Sequence, residues 1–195
     1  VEETARLITL GGNDPEGALL TFEMLTLPTK GVLSGTAPTL TYTPTLNLTG
    51  ADSFTFRVKD ASLTSSVATV SIVITNVNDL PVAVAQSVST DEDTAKAITL
   101  TGTDVEGSAL TYTVVTLPTQ GVLSGTAPAL TYTPSANLNG SDSFTFKVND
   151  STADSVTATV LITINPVNDI PVATNLMVGT LEDSGPVAVT LTGSS

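Results

Sequence analysis

The chain has no cysteine, no histidine and no tryptophan. Without cysteine there are no disulfides and no thiolate metal sites. Without histidine the commonest transition-metal ligand and the usual acid–base side chain are both missing. Basic residues are scarce as well: six Lys and Arg stand against nineteen Asp and Glu, for a formal charge of −13. So few cations exclude nucleic acid as a partner and disfavour anionic membranes, because phosphate binding needs grouped Lys and Arg. With five Phe and three Tyr, aliphatic side chains must supply most of any core. No apolar run reaches the roughly 18–20 residues needed to span a bilayer, so no membrane insertion is expected. No signal peptide opens the chain, and a secretion signal is expected outside these residues.

What the chain does contain is a repeat. Asn76-Val77-Asn78-Asp79-Leu80-Pro81 returns as Asn165-Pro166-Val167-Asn168-Asp169-Ile170-Pro171. Asp14 and Asp104, Asp52 and Asp142, and Pro81 and Pro171 are each 90 residues apart, so the register runs without a gap. Leu100-Thr101-Gly102 then matches Leu191-Thr192-Gly193 at a spacing of 91, which implies one extra residue near Gly185-Pro186. The expected division is a first repeat at 1–78, a complete second repeat at 79–168 and the start of a third at 169–195. The first residue falls inside one repeat and the last falls early in another, so a window of a longer array is expected. A unit of about 90 residues closes one modest core, with a smaller buried fraction than a large domain has.

Short alternating apolar runs, punctuated by Gly, Pro, Thr, Ser and Asn, predict an all-β chain. In the second copy the expected strands are 82–89, 96–102, 109–116, 121–124, 129–133, 143–149 and 155–164. Seven strands fit a two-sheet sandwich of immunoglobulin type. Phe144, Phe146 and Val148 share one face, as do Phe54, Phe56 and Val58, and are expected in the core. In the last strand Val156, Ala158, Val160, Ile162 and Ile164 fall on one face, matched in the first copy by Ala68, Val70, Ile72 and Ile74. The pattern there reads as slipping by one residue between copies, which predicts a bulge in 155–164 or a wrong phase for one copy. Residues 26–44 recur at 116–134 with two substitutions, Lys30 to Gln120 and Thr39 to Ala129. Their prolines and glycines predict hairpin and edge architecture.

An ordered set of acidic motifs joins these strands. An acidic pair stands near the first strand, at Glu2-Glu3, Glu92-Asp93 and Glu182-Asp183. Asp14-Pro15-Glu16-Gly17 and Asp104-Val105-Glu106-Gly107 follow, then Asn47-Leu48-Thr49-Gly50-Ala51-Asp52 and Asn137-Leu138-Asn139-Gly140-Ser141-Asp142. Asp60 and Asp150 end the next strand, and the Asn- and Asp-rich proline linker closes the unit. In order and spacing the chain resembles the cadherin-like repeats of large bacterial surface proteins.

That resemblance implies tandem immunoglobulin-like, cadherin-like β-sandwiches arranged end to end as a rod, with Ca2+ clamped at each junction. The first junction would use Glu2, Asn76, Asn78, Asp79, Asp104, Glu106 and Asp150. The second would use Glu92, Asn165, Asn168 and Asp169. Asp14, Glu16 and Asp60 would serve a junction preceding Val1. Asn47 or Asp52 is the candidate for an acidic tripeptide that cadherins place low in the upper domain. One or two ions per junction and an affinity around 10⁻⁴ to 10⁻³ M would follow. The implied role is that of an extracellular spacer in an adhesin-type protein, its partners being neighbouring repeats, with a glycan or protein target reached through other regions.

The residues support this on their own terms, since calcium takes six to eight oxygens and these positions offer carboxylates and amides from separate segments. Each also has a plainer reading. Asp104 and Glu106 can form an Asp-initiated turn closed by Gly107. Asn78 and Asp79 can cap nearby backbone in a solvated linker. Glu92 and Asp93 can be edge charge, and Asp52 and Asp142 can hold a loop through side-chain hydrogen bonds. An enzyme is not expected, because every carboxylate pair recurs at the same phase in each copy. A carbohydrate- or protein-binding module is the alternative, as is self-association into extracellular fibres.

Overall fold

The computed structural model describes residues 1–173, 175–183, 185–191 and 193–194. Every regular element among them is a β-strand. The chain separates into two compact units. The first comprises Val1–Val82, Thr103–Leu110 and Asn149–Asp154; the second comprises Ala83–Gly102, Thr111–Val148 and Ser155–Ser195.

In the first unit β1 (Arg6–Thr9), β4 (Thr39–Pro44) and β3 (Gly31–Thr36) form one sheet in that order. A second sheet is ordered β2 (Thr21–Thr26), β5 (Gly50–Lys59) and β6 (Ala68–Ile74). Alternation along β5 sends Phe54 and Phe56 inward. With Leu10 and Leu40 they make the core, and Ile8, Phe22, Met24 and Val58 pack around it. The Phe22 and Phe56 rings stack with centroids 6.1 Å apart.

The second unit repeats this plan with one more strand. Its three-stranded sheet is β12 (Gly121–Thr126), β13 (Ala129–Pro134) and β9 (Lys96–Thr99). Its other sheet has the order β11 (Thr111–Thr116), β14 (Gly140–Asn149), β15 (Ala158–Asn165) and β8 (Gln86–Asp91). Phe144, Phe146 and Val148 are fully buried, as expected of their face. The near-identical segments form the expected hairpins, Gly31 pairing with Pro44 and Gly121 with Pro134.

Four expectations need correction. The strand expected at 82–89 is split into β7 (Val82–Ala83) and β8, because Val84 N donates to Thr101 O at 3.0 Å before the chain turns to pair with β15. Likewise 96–102 divides into β9 and the two-residue β10 (Gly102–Thr103). The slip in the last strand does not exist. Phe56 pairs with Ala68 and Gly50 with Ile74, while Phe146 pairs with Ala158 and Gly140 with Ile164, the same register 90 residues on.

The strand expected to begin at 155 begins at Ala158, for a local reason. Ser155 Oγ accepts from Val148 N at 3.0 Å while Ser155 N donates to Val148 O at 2.8 Å, so a side chain takes the place of the next ladder bond. Ser65 and Val58 repeat the arrangement in the first unit.

Candidate metal centre

The acidic pairs divide their labour. Glu2 is buried at 2 % exposure, and its Oε1 accepts from Val77 N at 2.7 Å. Glu3 is exposed, with a left-handed backbone at φ 61°. Glu92 and Asp93 repeat this: Glu92 Oε1 accepts from Val167 N at 2.6 Å, and Asp93 has φ 62°. The turn at the second member aims the first carboxylate back onto the Asn-rich linker. In neither copy is the first member of the pair a solvated edge charge.

In the first unit the linker meets two loops. Asn78 Nδ2 donates to Asp150 Oδ2 at 2.7 Å, and Asp79 N donates to Glu106 Oε1 at 3.3 Å. A pocket of about 340 Å3 is lined by Glu2, Asn47, Thr49, Asn76, Val105 and Glu106. Asn47 thus joins the predicted residues at this place, whereas Asp52 does not.

Asp104 opens its turn as expected, with Ser108 N on its Oδ1 at 2.8 Å and Gly107 N on its carbonyl at 3.3 Å. Gly107 has φ +74°, which only glycine adopts without strain. The other carboxylate oxygen, Oδ2, is buried and accepts no hydrogen bond among the described residues. Asp150 Oδ1 accepts from Thr152 N and Ala153 N, at 2.7 and 2.6 Å. Those amides, Ala153 N foremost and then Asn78 Nδ2, hold its pKa below the usual carboxylate range.

The remaining predicted residues fall into two groups. Asp14, Glu16 and Asp60 line one pocket of about 330 Å3. Asp14 Oδ1 accepts from Ala18 N at 2.7 Å, and Asp60 Oδ1 accepts from Ser62 N at 2.6 Å and from Leu63 N. In the second unit Asn165 Nδ2 donates to Asp91 Oδ1 at 2.9 Å, and Asn168 and Asp169 are exposed. Among the described residues, no three acidic side chains lie close enough together to hold a metal ion by themselves.

Residues 1–73 and 78–163 match the family model described as Bacterial Ig domain. The chain belongs to this family. Among solved structures it is similar to the endo-fucoidan hydrolase MfFcnA4 of glycoside hydrolase family 107, at 29% identity and TM-score 0.40, over 85% of this chain and 26% of that one. It thus spans about a quarter of that enzyme's length. The extracellular domain of protocadherin GammaB4 is 16% identical with a TM-score of 0.50, over 84% of this chain and 30% of that chain. Domains EC1-2 of human mucin-like protocadherin are 16% identical with a TM-score of 0.49, over 85% of this chain and 100% of that chain. No curated protein matches the chain.

Each bacterial Ig domain also carries a buried network that the acidic motifs alone did not reveal. Asp52 Oδ2 accepts from Tyr42 Oη at 2.7 Å and Lys30 N at 3.0 Å, and Oδ1 accepts from Thr29 N and Ser53 N, both at 2.9 Å. Asp142 takes the same bonds from Tyr132, Gln120, Thr119 and Ser143. The loop-holding reading of these two residues is therefore the one realised. The available signal was the ten-residue spacing of Tyr and Asp in both copies.

Burial alone would raise the Asp52 pKa, but the bonds from Thr29 N, Tyr42 Oη, Lys30 N and Ser53 N outweigh it and hold the group at about 2. Tyr42 is pushed up by burial and by the facing carboxylate. The folded value lies below the ordinary 3.8, so this stabilisation is full above about pH 3.8 and is lost as pH falls through about 2. The loss is expected to reach about 2 kcal/mol for the first domain. Urea unfolding at pH 5, 3 and 2, followed by amide exchange at Phe54, checks it. Asp52→Asn should flatten the slope, and an unchanged slope would remove Asp52 as its cause.

Proposed function

We propose that this pair of bacterial Ig domains is a spacer in a cell-surface or secreted protein, stiffened when calcium binds among the linker and the loops it meets. The supporting observation is Asp104 Oδ2, a buried carboxylate oxygen with no hydrogen-bond partner among the described residues. Its partner oxygen Oδ1 accepts from Ser108 N, so a carboxylate with a buried oxygen is left half satisfied, which is costly unless a cation meets the free oxygen. Glu2, Asn76, Asn78, Asp79, Glu106 and Asp150 would complete an all-oxygen set suited to a hard cation, with Asn47 and Thr49 lining the same pocket as Glu2, Asn76 and Glu106.

The chain's own part in this is mechanical. Asn78 and Asp79 already bind Asp150 and Glu106 in the first unit. Those bonds hold the linker against the 103–110 and 149–154 loops. Calcium would supply positive charge between the carboxylates. The Asn78 amide, whose Nδ2 now faces Asp150, would have to turn for its Oδ1 to serve the ion. The reading assigns no catalysis to these carboxylates and places the protein outside the cell, where millimolar calcium matches a site of weak affinity.

Small-angle scattering on the chain, titrated with calcium and then chelated, tests it. The expected result is a longer, sharper maximum dimension with calcium, lost on chelation and absent in Asp104→Ala. A profile that ignores both calcium and chelator would overturn the reading.

A further inference from the structure

Of the two substitutions that separate the repeated hairpin segments, one falls beside the pocket lined by Glu2, Asn47, Thr49, Asn76 and Glu106. Lys30 in the first domain is Gln120 in the second. Their main chains do the same work. Lys30 N donates to Asp52 Oδ2 at 3.0 Å and Lys30 O accepts from Thr45 N at 2.8 Å, while Gln120 N donates to Asp142 Oδ2 and Gln120 O accepts from Ser135 N, both at 2.8 Å. The side chains part company. Lys30 Nζ donates to Thr49 O at 2.7 Å, whereas Gln120 Nε2 donates to Ser141 O, the counterpart of Ala51, at 2.6 Å.

Glycine gives the lysine its course. A Cβ on Gly50 would stand 3.1 Å from Lys30 Nζ, whereas one on Gly140 would meet nothing within 4 Å. The ammonium therefore fills a place over the 47–50 loop that is open space in the second domain. One hydrogen bond ties it to Thr49, which lines the pocket together with Glu2 and Glu106. Among the described residues Lys30 has no carboxylate partner of its own, while Arg57 and Lys59 both pair with Glu23.

On the calcium reading of this pocket, on which the inference rests, we propose that Lys30 sets the affinity of the first site. Its ammonium, held at the pocket wall, opposes a divalent cation there and keeps the site weaker than glutamine would. A unit charge about 8 Å from a divalent ion in water-like dielectric weakens its binding roughly sixfold. Lys30 thus offsets one of the carboxylate charges of Glu2, Asp79, Asp104, Glu106 and Asp150 without removing an oxygen from the set. A site weakened in this way fills and empties as ambient calcium changes, where a tighter one would stay filled.

Calcium titration of the 195-residue chain, followed by NMR at the amides of Asn78 and Glu106, reads this site alone. Lys30→Gln installs the residue that the second domain already carries with its main-chain bonds intact, and amide exchange at Phe54 checks the fold. The dissociation constant should fall about three- to tenfold in Lys30→Gln and stay within about twofold of wild type in Lys30→Arg, which keeps the charge. In about 1 M KCl, where the screening length is about 3 Å, the gap between wild type and Lys30→Gln should close. Equal affinity of wild type and Lys30→Gln at low salt, or the same gain in Lys30→Arg, overturns the proposal and leaves the spacer reading in place. Amides that ignore calcium in the wild type and in both variants overturn the spacer reading and the proposal with it.

Discussion

Replacing Asp142 by alanine is expected to destabilise the second domain by about 4 kcal/mol, because each buried donor left without an acceptor costs about 1–3 kcal/mol. The carboxylate is 6 % exposed and accepts from Thr119 N at 2.9 Å and from Gln120 N, Tyr132 Oη and Ser143 N at 2.8 Å each. No other acceptor replaces it if the loop stays in place. The loop must therefore open to water or keep four donors unsatisfied. Urea unfolding with amide exchange at Phe144 and Val160 isolates the second domain from the first. Asp142→Asn should cost roughly half as much, since one oxygen still accepts. A loss below about 1 kcal/mol for the alanine form would mean that the loop is held by its backbone and not by this network.

Gly121→Ala should cost about 3 kcal/mol at a position with no side chain of its own. A Cβ there would stand 2.5 Å from Thr133 O and 2.6 Å from the Tyr132 ring, and Gly31 meets the Tyr42 ring at 2.5 Å in the first domain. Backbone cannot yield cheaply, so the ring must move. Overpacking of this kind costs about 1–3 kcal/mol, and displacing the ring also breaks the Tyr132–Asp142 bond, worth about 1 kcal/mol more. A double-mutant cycle with Tyr132→Phe measures the second part. If the two substitutions add without interaction, the glycine does not serve the hydrogen bond, and the close approach matters through packing alone.

Contacts among the candidate residues could be anticipated only in part. The cadherin-like resemblance implied Glu2, Asn76, Asn78, Asp79, Asp104, Glu106 and Asp150, and in the first unit Asn78 and Asp79 reach Asp150 and Glu106. Less legible was how each group is used. Both members of Glu2-Glu3 are equally acidic, yet one is buried and the other sits in a left-handed turn, a difference set by backbone dihedrals. Asp104 begins a turn and also leaves one buried oxygen unpaired, a double role visible only when every donor around it is located.

The amino-acid sequence determined by itself the 90-residue period, the all-β class and the inward faces of Phe54, Phe56, Phe144 and Phe146. These follow from local facts: side chains alternate along a strand, and a duplicated segment folds twice in the same way. Tertiary structure alone decided that Tyr42 and Tyr132 cap Asp52 and Asp142, that Gly31 and Gly121 make room for those rings, and that Gln86–Asp91 runs parallel to Ala158–Asn165. Each of these depends on a partner that hydrophobic alternation does not specify, because hydrogen-bond geometry and close packing are properties of assembled surfaces.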